Sequence, residues 1–259
     1  MILAYDNYVD YSATTIVASS NVTTLPVSNL QDRRLAKVYR STTPGNYTVD
    51  FDFGVSRTFQ VLLIAGALLD SADTVQWQGS TVSAGAGDVF DTGAVASNIK
   101  AGNWLSLQYF STAQTARYVR LTVAATSRVS AGFADIGRVM IAPIVPNLDR
   151  NPDWGLVDTW VDGSSCERGT RSGVRFVDVA FKLRTVQIAF TNLNQTLART
   201  LQDLDYAAGM STQVFACLDP TTASEWSREG IFGYISTMSG MQYAAYQSFQ
   251  KGYVIEQAL

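Results

Sequence analysis

Asp50 and Asp52 are the pair of side chains in this sequence that most invites a catalytic reading. They stand two positions apart in Tyr47-Thr48-Val49-Asp50-Phe51-Asp52-Phe53, so in an extended chain both project from one face, about 7 Å apart. Glycoside hydrolysis needs two carboxylates that flank the scissile bond. Two on the same strand face do not oppose each other across a cleft, and ion pairing with Arg40 or Arg120 on a neighbouring strand is the stronger reading. The chain contains no histidine, which removes Ser-His-Asp and Cys-His nucleophiles and the usual neutral-pH base. Its two cysteines, Cys166 and Cys217, lie far apart. They read as free thiols, too few for a zinc site. Gly85-Ala86-Gly87-Asp88 lacks the third glycine, the lysine and the helix of a phosphate loop. No catalytic, cofactor-binding or metal-ligating residue is singled out, and the protein is expected not to be an enzyme.

Binding chemistry is better represented. Sugar rings stack on exposed aromatic side chains, and loops carry most ligand contacts of β-sandwiches. Trp104 and Tyr109 flank a loop over 80–103 rich in Gly, Ala, Ser and Asp, while Arg33 and Arg34 lie in an earlier connection. These four are the candidate glycan contacts; the competing reading makes Trp104 and the nearby Tyr39 core or rim residues. A second cluster, Trp226, Phe232, Tyr234, Tyr243, Tyr246 and Phe249, offers more aromatic surface than one helix can cover. It is the candidate assembly interface.

The elements that must carry these residues are mostly strands. Charged residues are 16% and hydrophobic ones 47% of the 259 residues, with 12 tyrosines and 12 phenylalanines, a composition that favours a folded, β-rich chain. The net charge of −3 and the absence of any basic run argue against a nucleic-acid partner. No apolar run approaches the ~18 residues that span a bilayer. The start, Met1-Ile2-Leu3-Ala4-Tyr5-Asp6-Asn7, does not read as a secretory signal, so folding in a cytoplasm is expected.

Val119, Leu121 and Val123 alternate with Tyr118, Arg120 and Thr122, predicting a strand with one buried face. Further strands are predicted at 2–5 as an edge piece, 12–18, 47–53 ending at Gly54, 59–69, 74–78 and 104–110, with another at 136–141. Pro143, Pro146 and Pro152, interspersed with Asn147, Asp149, Asn151 and Asp153, then mark a boundary with few contacts. Domains of 1–146 and 147–259 follow from it. In the second, apolar alternation over 177–190 changes phase, which predicts a bulge or a tight turn near Arg184-Thr185. Leu193, Leu197, Leu201, Leu204 and Ala208 predict a helix capped by Asn192 and closed by Gly209. Strands at 213–218, 230–235, 242–246 and 253–255 complete an α+β unit.

Asn29-Leu30 with Val38-Tyr39-Arg40-Ser41, Val49-Asp50-Phe51-Asp52-Phe53-Gly54, Ala116-Arg117-Tyr118-Val119-Arg120-Leu121 and Ile136-Gly137-Arg138-Val139-Met140-Ile141 resemble the discoidin, or coagulation-factor C-type, domain over roughly residues 1–142. The resemblance implies a galactose-binding-like jelly roll: a mainly β fold whose N-terminal antiparallel β-sandwich precedes the α+β domain, with one helix packed on antiparallel strands. It brings no sugar-binding or calcium-binding residues across. The order of parts, with Leu218-Asp219-Pro220 and Ile231-Phe232-Gly233-Tyr234-Ile235, is similar to structural proteins of bacteriophage tails. That similarity implies a virion component of the tail tip or baseplate, assembled in the host cytoplasm into an oligomeric ring or collar with other tail proteins. The alternative is a carbohydrate-binding module that contacts host surface glycans through the jelly-roll loops.

Overall fold

The structure is a computed structural model that describes residues 1–100, 102–146, 148, 152–153, 155–168 and 174–258. Its strands are β1 (Ile2–Ala4), β2 (Thr15–Ala18), β3 (Tyr39–Ser41), β4 (Tyr47–Ala65), β5 (Thr74–Ser80), β6 (Phe90–Asp91), β7 (Val95–Ala96), β8 (Leu105–Ala124), β9 (Ala134–Ile136) and β10 (Arg138–Ala142). The second half adds β11 (Val157–Asp162), β12 (Ser165–Arg168), β13 (Arg175–Asp178), β14 (Lys182–Leu193), α1 (Gln195–Ala208), β15 (Gln213–Cys217), a short helix α2 (Trp226–Glu229), β16 (Gly230–Met238), β17 (Gln242–Ala245) and β18 (Ser248–Gln257). The fold is mainly β and antiparallel, a jelly-roll-like sandwich followed by an α+β half.

In the first half the sheet order is β10-β4-β8-β5-β6, with β2 on β4 and β7 on β5. The alternation read from the sequence sets the faces. Val49, Phe51 and Phe53 on β4 and Val119, Leu121 and Val123 on β8 are buried in one core with Trp77, Tyr39 and Tyr47. The two-stranded β3-β9 sheet and 3-10 turns at Tyr8–Asp10 and Val27–Gln31 contribute to that core. Gly54 does not end the strand as predicted. It has φ +75° and sits where the register against β8 shifts between Asp52 and Arg57, a bulge that lets β4 continue to Ala65. β8 likewise runs unbroken through the two strands predicted at 104–110 and 116–123.

At one end of the sandwich Asp73 ties loops together. It is 1% exposed and accepts hydrogen bonds from the Asp70 amide at 2.8 Å, the Ser127 amide at 2.9 Å, the Ser127 hydroxyl at 2.5 Å and the Thr126 hydroxyl at 3.3 Å. Burial alone would push this carboxyl up, but the Ser127, Asp70 and Thr126 donors outweigh it and hold it below the ordinary value. A depressed carboxylate adds stability above its unfolded pKa, near 3.9, and that stability is lost as pH falls through the folded value. Asp73→Asn is therefore expected to cost about 1–3 kcal/mol at pH 7 and to flatten the acid limb below about pH 4. Urea midpoints of both proteins from pH 3 to 7 check it, and parallel curves would rule it out.

In the second half the sheet order is β1-β15-β16-β18-β14-β11, with β17 on β18. The strand at the very start of the chain thus pairs with β15, Ile2 opposite Cys217 and Ala4 opposite Phe215, instead of edging the first sandwich. Helix α1 lays Leu197, Leu201 and Leu204 over Val186, Ile188, Tyr253 and Ile255. Its cap is Asn194, whose side chain accepts from the Leu197 amide at 2.8 Å, and not Asn192 as predicted. Asn192 has φ +53° and falls within a register irregularity between Phe190 and Leu193 on β14. Gly209 closes the helix as predicted, its amide donating to the Asp205 carbonyl at 3.0 Å. Asn194→Ala is expected to cost on the order of 1 kcal/mol, whereas Asn192→Gly, which keeps the φ of +53° without strain, should leave the helix intact. Thermal melts of the two variants distinguish these positions, and the reverse ranking would restore the predicted cap. The phase change predicted at Arg184-Thr185 is also displaced: the chain breaks between β13 and β14, while 182–190 pairs without interruption on β18 from Thr185 to Phe190.

The halves are joined by more than the proline segment. A third core unites Ile2 and Ala4, Val61, Leu63 and Ala65 of β4, Met140 and Ala142 of β10, and Phe215, Cys217 and Phe232 of the second sheet. Within the segment expected to make few contacts, Val145 is 3% and Leu148 8% exposed, and the Val145 amide donates to the Leu3 carbonyl at 2.7 Å. Asn147, Asp149 and Asn151 lie outside the described residues.

Candidate functional site

The carboxylates that opened the catalytic question are held in ion pairs. Asp50 receives both arms of the Arg120 fork at 2.6 and 2.7 Å. Asp52 receives Arg117 at 2.8 and 3.0 Å and the Gly54 amide at 2.8 Å. The Arg117 hydrogen bonds keep the Asp52 carboxyl below its ordinary range, the opposite of what a general acid needs. Arg40 pairs instead with Asp135, at 2.7 and 2.8 Å. Gly85 has φ +80°, and a Cβ there would meet the Arg120 guanidinium at 2.2 Å. The glycine-rich fragment is thus the turn that folds over this ion pair.

The four predicted glycan contacts do not converge. Arg33 bridges the halves: its guanidinium donates to the Ser211 carbonyl at 3.0 Å, and its own carbonyl accepts from the Gln213 side chain at 2.7 Å and the Tyr234 hydroxyl at 3.3 Å. Arg34 forms a surface pair with Asp32 at 2.8 Å. Tyr109 is half-buried with its ring edge-on to Trp226, centroids 6.5 Å apart. Only Trp104 faces an open concavity. The predicted assembly residues divide as well. Phe232 and Phe249 are buried, Trp226 and Tyr234 pack on the core between the halves, and Tyr243 and Tyr246 are 76% and 92% exposed.

Trp104 lines a cleft of about 410 Å³ between the halves. Its walls are apolar, built from Leu35, Ala65, Leu105, Phe232 and Ala258, and Trp160 of β11 stands in the same cleft. Trp104 is 40% and Trp160 49% exposed. The loop that presents Trp104 is fixed on both sides. The Gly66 amide donates to the Trp104 carbonyl at 3.0 Å, and Trp104 holds φ +50°. Asn103 donates to the carbonyls of Gly230, at 2.8 Å, and Ser227. Gln257 donates to the Gly102 carbonyl at 3.2 Å. A Cβ on Gly102 would stand 3.4 Å from the Trp160 ring, so the loop abuts the second indole. Lys182, near Asp162 at 3.5 Å, adds an ammonium to the lining. Trp160 escaped sequence reasoning because nothing local marks it: it is 56 positions from Trp104 and joins it only through the packing of the halves.

Cys166 and Cys217 are both free thiols. Burial pushes the Cys217 thiol up to about 12, which leaves it unreactive at neutral pH. Among the described residues no group of three or more His, Cys, Asp and Glu could hold a metal ion, and no helix is long and apolar enough to cross a membrane.

No protein-family profile matches the chain, and no curated protein sequence does. Solved structures with a similar arrangement include the family 32 carbohydrate-binding module of Clostridium perfringens NanJ in complex with galactose, 13% identical over 54% of this chain and 98% of its own, TM-score 0.40. The lectin domain of lectinolysin complexed with Lewis B antigen is 13% identical over 53% of this chain and 96% of its own, TM-score 0.40. A Ruminococcus gnavus GH29 fucosidase in complex with fucose is 12% identical over 56% of this chain, TM-score 0.45, and only 28% of that enzyme is covered.

Proposed function

We propose that this chain is a non-catalytic carbohydrate-binding protein whose ligand sits in the cleft between its halves. The observation that carries the reading is the pair Trp104 and Trp160, two half-exposed indoles in one apolar concavity of about 410 Å³ with Lys182, Asn103 and Gln257 among its lining residues. Aromatic faces take up the apolar side of a sugar ring, and a few polar groups fix its orientation. Galactose and fucose, the sugars named with the structures above, are the first probes; the ion-paired Asp50 and Asp52 give no reason to expect their hydrolysis. Glycan-array and calorimetric binding should be lost in Trp104→Ala and in Trp160→Ala and kept in Tyr109→Phe. Absence of binding to any arrayed glycan, or binding that both tryptophan variants retain, would overturn it.

A second reading, compatible with the first, is a structural component of a phage tail tip or baseplate, assembled in the host cytoplasm and oligomeric with other tail proteins. The exposure of Tyr243 and Tyr246 is compatible with it, and it rests otherwise on the resemblance of Leu218-Asp219-Pro220 and Ile231-Phe232-Gly233-Tyr234-Ile235 to tail proteins. Antibody against the chain should then label the tail tip of intact particles. Purified virions free of the protein would exclude this setting while leaving the cleft to its own test.

A further inference from the structure

Trp160 stands beside two cations, and one of them is committed to the fold while the other is not. Pairing of β11 with β14 puts Arg184 directly opposite Trp160 and Lys182 opposite Asp162. These four side chains therefore share one face of the ladder, with Lys182 diagonal to the indole. Arg184, its side chain 5% exposed, donates from Nε and Nη2 to Asp158 at 2.9 and 2.7 Å and from Nη1 to the Gly230 carbonyl at 2.7 Å. Lys182 is 64% exposed, and its ammonium lies 3.5 Å from Asp162, longer than the about 2.7–2.9 Å of a charge-assisted hydrogen bond. An ammonium carries three N–H donors, and one loose contact leaves most of them for another acceptor.

The polar amides of the same cleft are spent on the fold. Asn103 gives its Nδ2 to the carbonyls of Gly230, at 2.8 Å, and Ser227. Gln257 donates to the Gly102 carbonyl at 3.2 Å and accepts the Arg184 amide at 3.3 Å. Among the described residues that line the cleft, Lys182 alone carries a charge. Asp162 takes the Ser164 amide at 2.9 Å and stands outside that lining. The concavity thus offers two indoles, aliphatic walls and one cation that can only donate. Diagonal neighbours on a ladder stand about 7–8 Å apart, so a pyranose ring stacked on Trp160 carries an exocyclic group within reach of the flexible Lys182 side chain.

We infer that the cleft selects carboxylated sugars, of which a hexuronic acid is the simplest, with the pyranose ring against the indoles and the carboxylate on the Lys182 ammonium. The inference rests on the carbohydrate-binding reading and names the ligand class of that same site. An ammonium needs an acceptor, and an anionic oxygen gains about twice as much from it as a neutral hydroxyl does. Stacking on Trp104 and Trp160 is the same for a neutral ring and an acidic one, so discrimination between them falls to Lys182.

Calorimetric titration of the full chain with matched sugars tests it: methyl galactoside against methyl galacturonide, and methyl glucoside against methyl glucuronide. Each pair differs only in a hydroxymethyl or a carboxylate at one carbon. The wild type should bind at least one uronide about five- to tenfold more tightly than its neutral partner, as a partly exposed charge pair allows, and that preference should shrink as salt is raised. Lys182→Gln should bring the two members of the pair to equal affinity. Asp162→Asn keeps an acceptor for the Ser164 amide, frees the ammonium and should enlarge the preference. Equal affinities within both pairs, a preference that Lys182→Gln retains, or one that Asp162→Asn abolishes overturns the inference, while binding lost in Trp104→Ala and Trp160→Ala still upholds the cleft. If none of the four sugars binds, the inference falls, and the glycan array decides the cleft reading by itself.

Discussion

Replacing Gly233 with alanine is expected to unfold the second half. Gly233 lies in β16 opposite Gln257 of β18, and a Cβ there would come within 1.8 Å of the Glu256 carbonyl oxygen, 2.7 Å of its carbon and 2.9 Å of the Gln257 Cα. All three atoms are backbone, so no side chain can rotate away and the strands must separate. Their neighbours, Phe232, Ile235 and Ile255, are each no more than 2% exposed, which closes off a local accommodation. Overpacking of a well-packed interior costs about 1–3 kcal/mol, and a clash against fixed backbone belongs at or above the top of that range. The measurement is the urea midpoint followed by far-ultraviolet circular dichroism, with Gly240→Ala, where a Cβ meets nothing within 4 Å, as the control. Equal midpoints for the two variants would show that β16 and β18 do not approach as described.

Arg138→Met should cost nearly as much, for an electrostatic reason. The Arg138 side chain is 1% exposed. It donates to Asp10 at 2.5 Å, to the Gln213 side chain at 3.0 Å and to the Leu30 carbonyl at 2.9 Å. It thereby links a turn of the first half to a strand of the second. Removing one partner of a buried ion pair leaves the other charge uncompensated, typically at about 3–5 kcal/mol. The Asp10 side chain keeps 28% exposure, which places the expectation near the lower end. Arg138→Met/Asp10→Leu should recover most of the loss, because a matched apolar pair is often no worse than a buried ionic one.

The sign of the pH dependence follows from Asp10. Burial pushes its carboxyl above the ordinary value even with Arg138 opposing the shift. A raised carboxylate binds its proton more tightly in the folded state, so its contribution to stability is highest at low pH and falls as pH rises through the folded value. Without Arg138 the rise is larger. The deficit of Arg138→Met should therefore shrink on acidification and widen towards neutrality; a deficit independent of pH would mean that Asp10 is not the group left stranded.

Much of this was legible in the residues. Val49, Phe51 and Phe53, and Val119, Leu121 and Val123, declare their buried faces by alternation, because a strand has a period of two wherever it lies. Leu197, Leu201 and Leu204 declare the apolar stripe of α1 in the same way. The helix start was less sharply marked, because Asn192 and Asn194 are equally good capping residues. The register irregularity that puts Asn192 at φ +53° decides between them, and it comes from pairing with a strand more than 50 positions later. The period of two misled at the end of β13: Val177, Val179 and Phe181 alternate as a buried face would, yet each is more than half exposed, because alternation marks a strand and not what covers it.

The sequence by itself determined the class of fold and the order of its sandwich and α+β parts, properties that periodicity expresses; of the ion pairs across β4 and β8 it offered Arg120 for Asp50 but not Arg117 for Asp52. Tertiary structure alone decided that β1 crosses to β15, that Arg33 and Arg138 fasten one half to the other, and that Trp160 comes to stand in the cleft of Trp104. Periodicity encodes which side of an element must leave water; what that side meets there depends on how distant segments pack, and no local pattern records it.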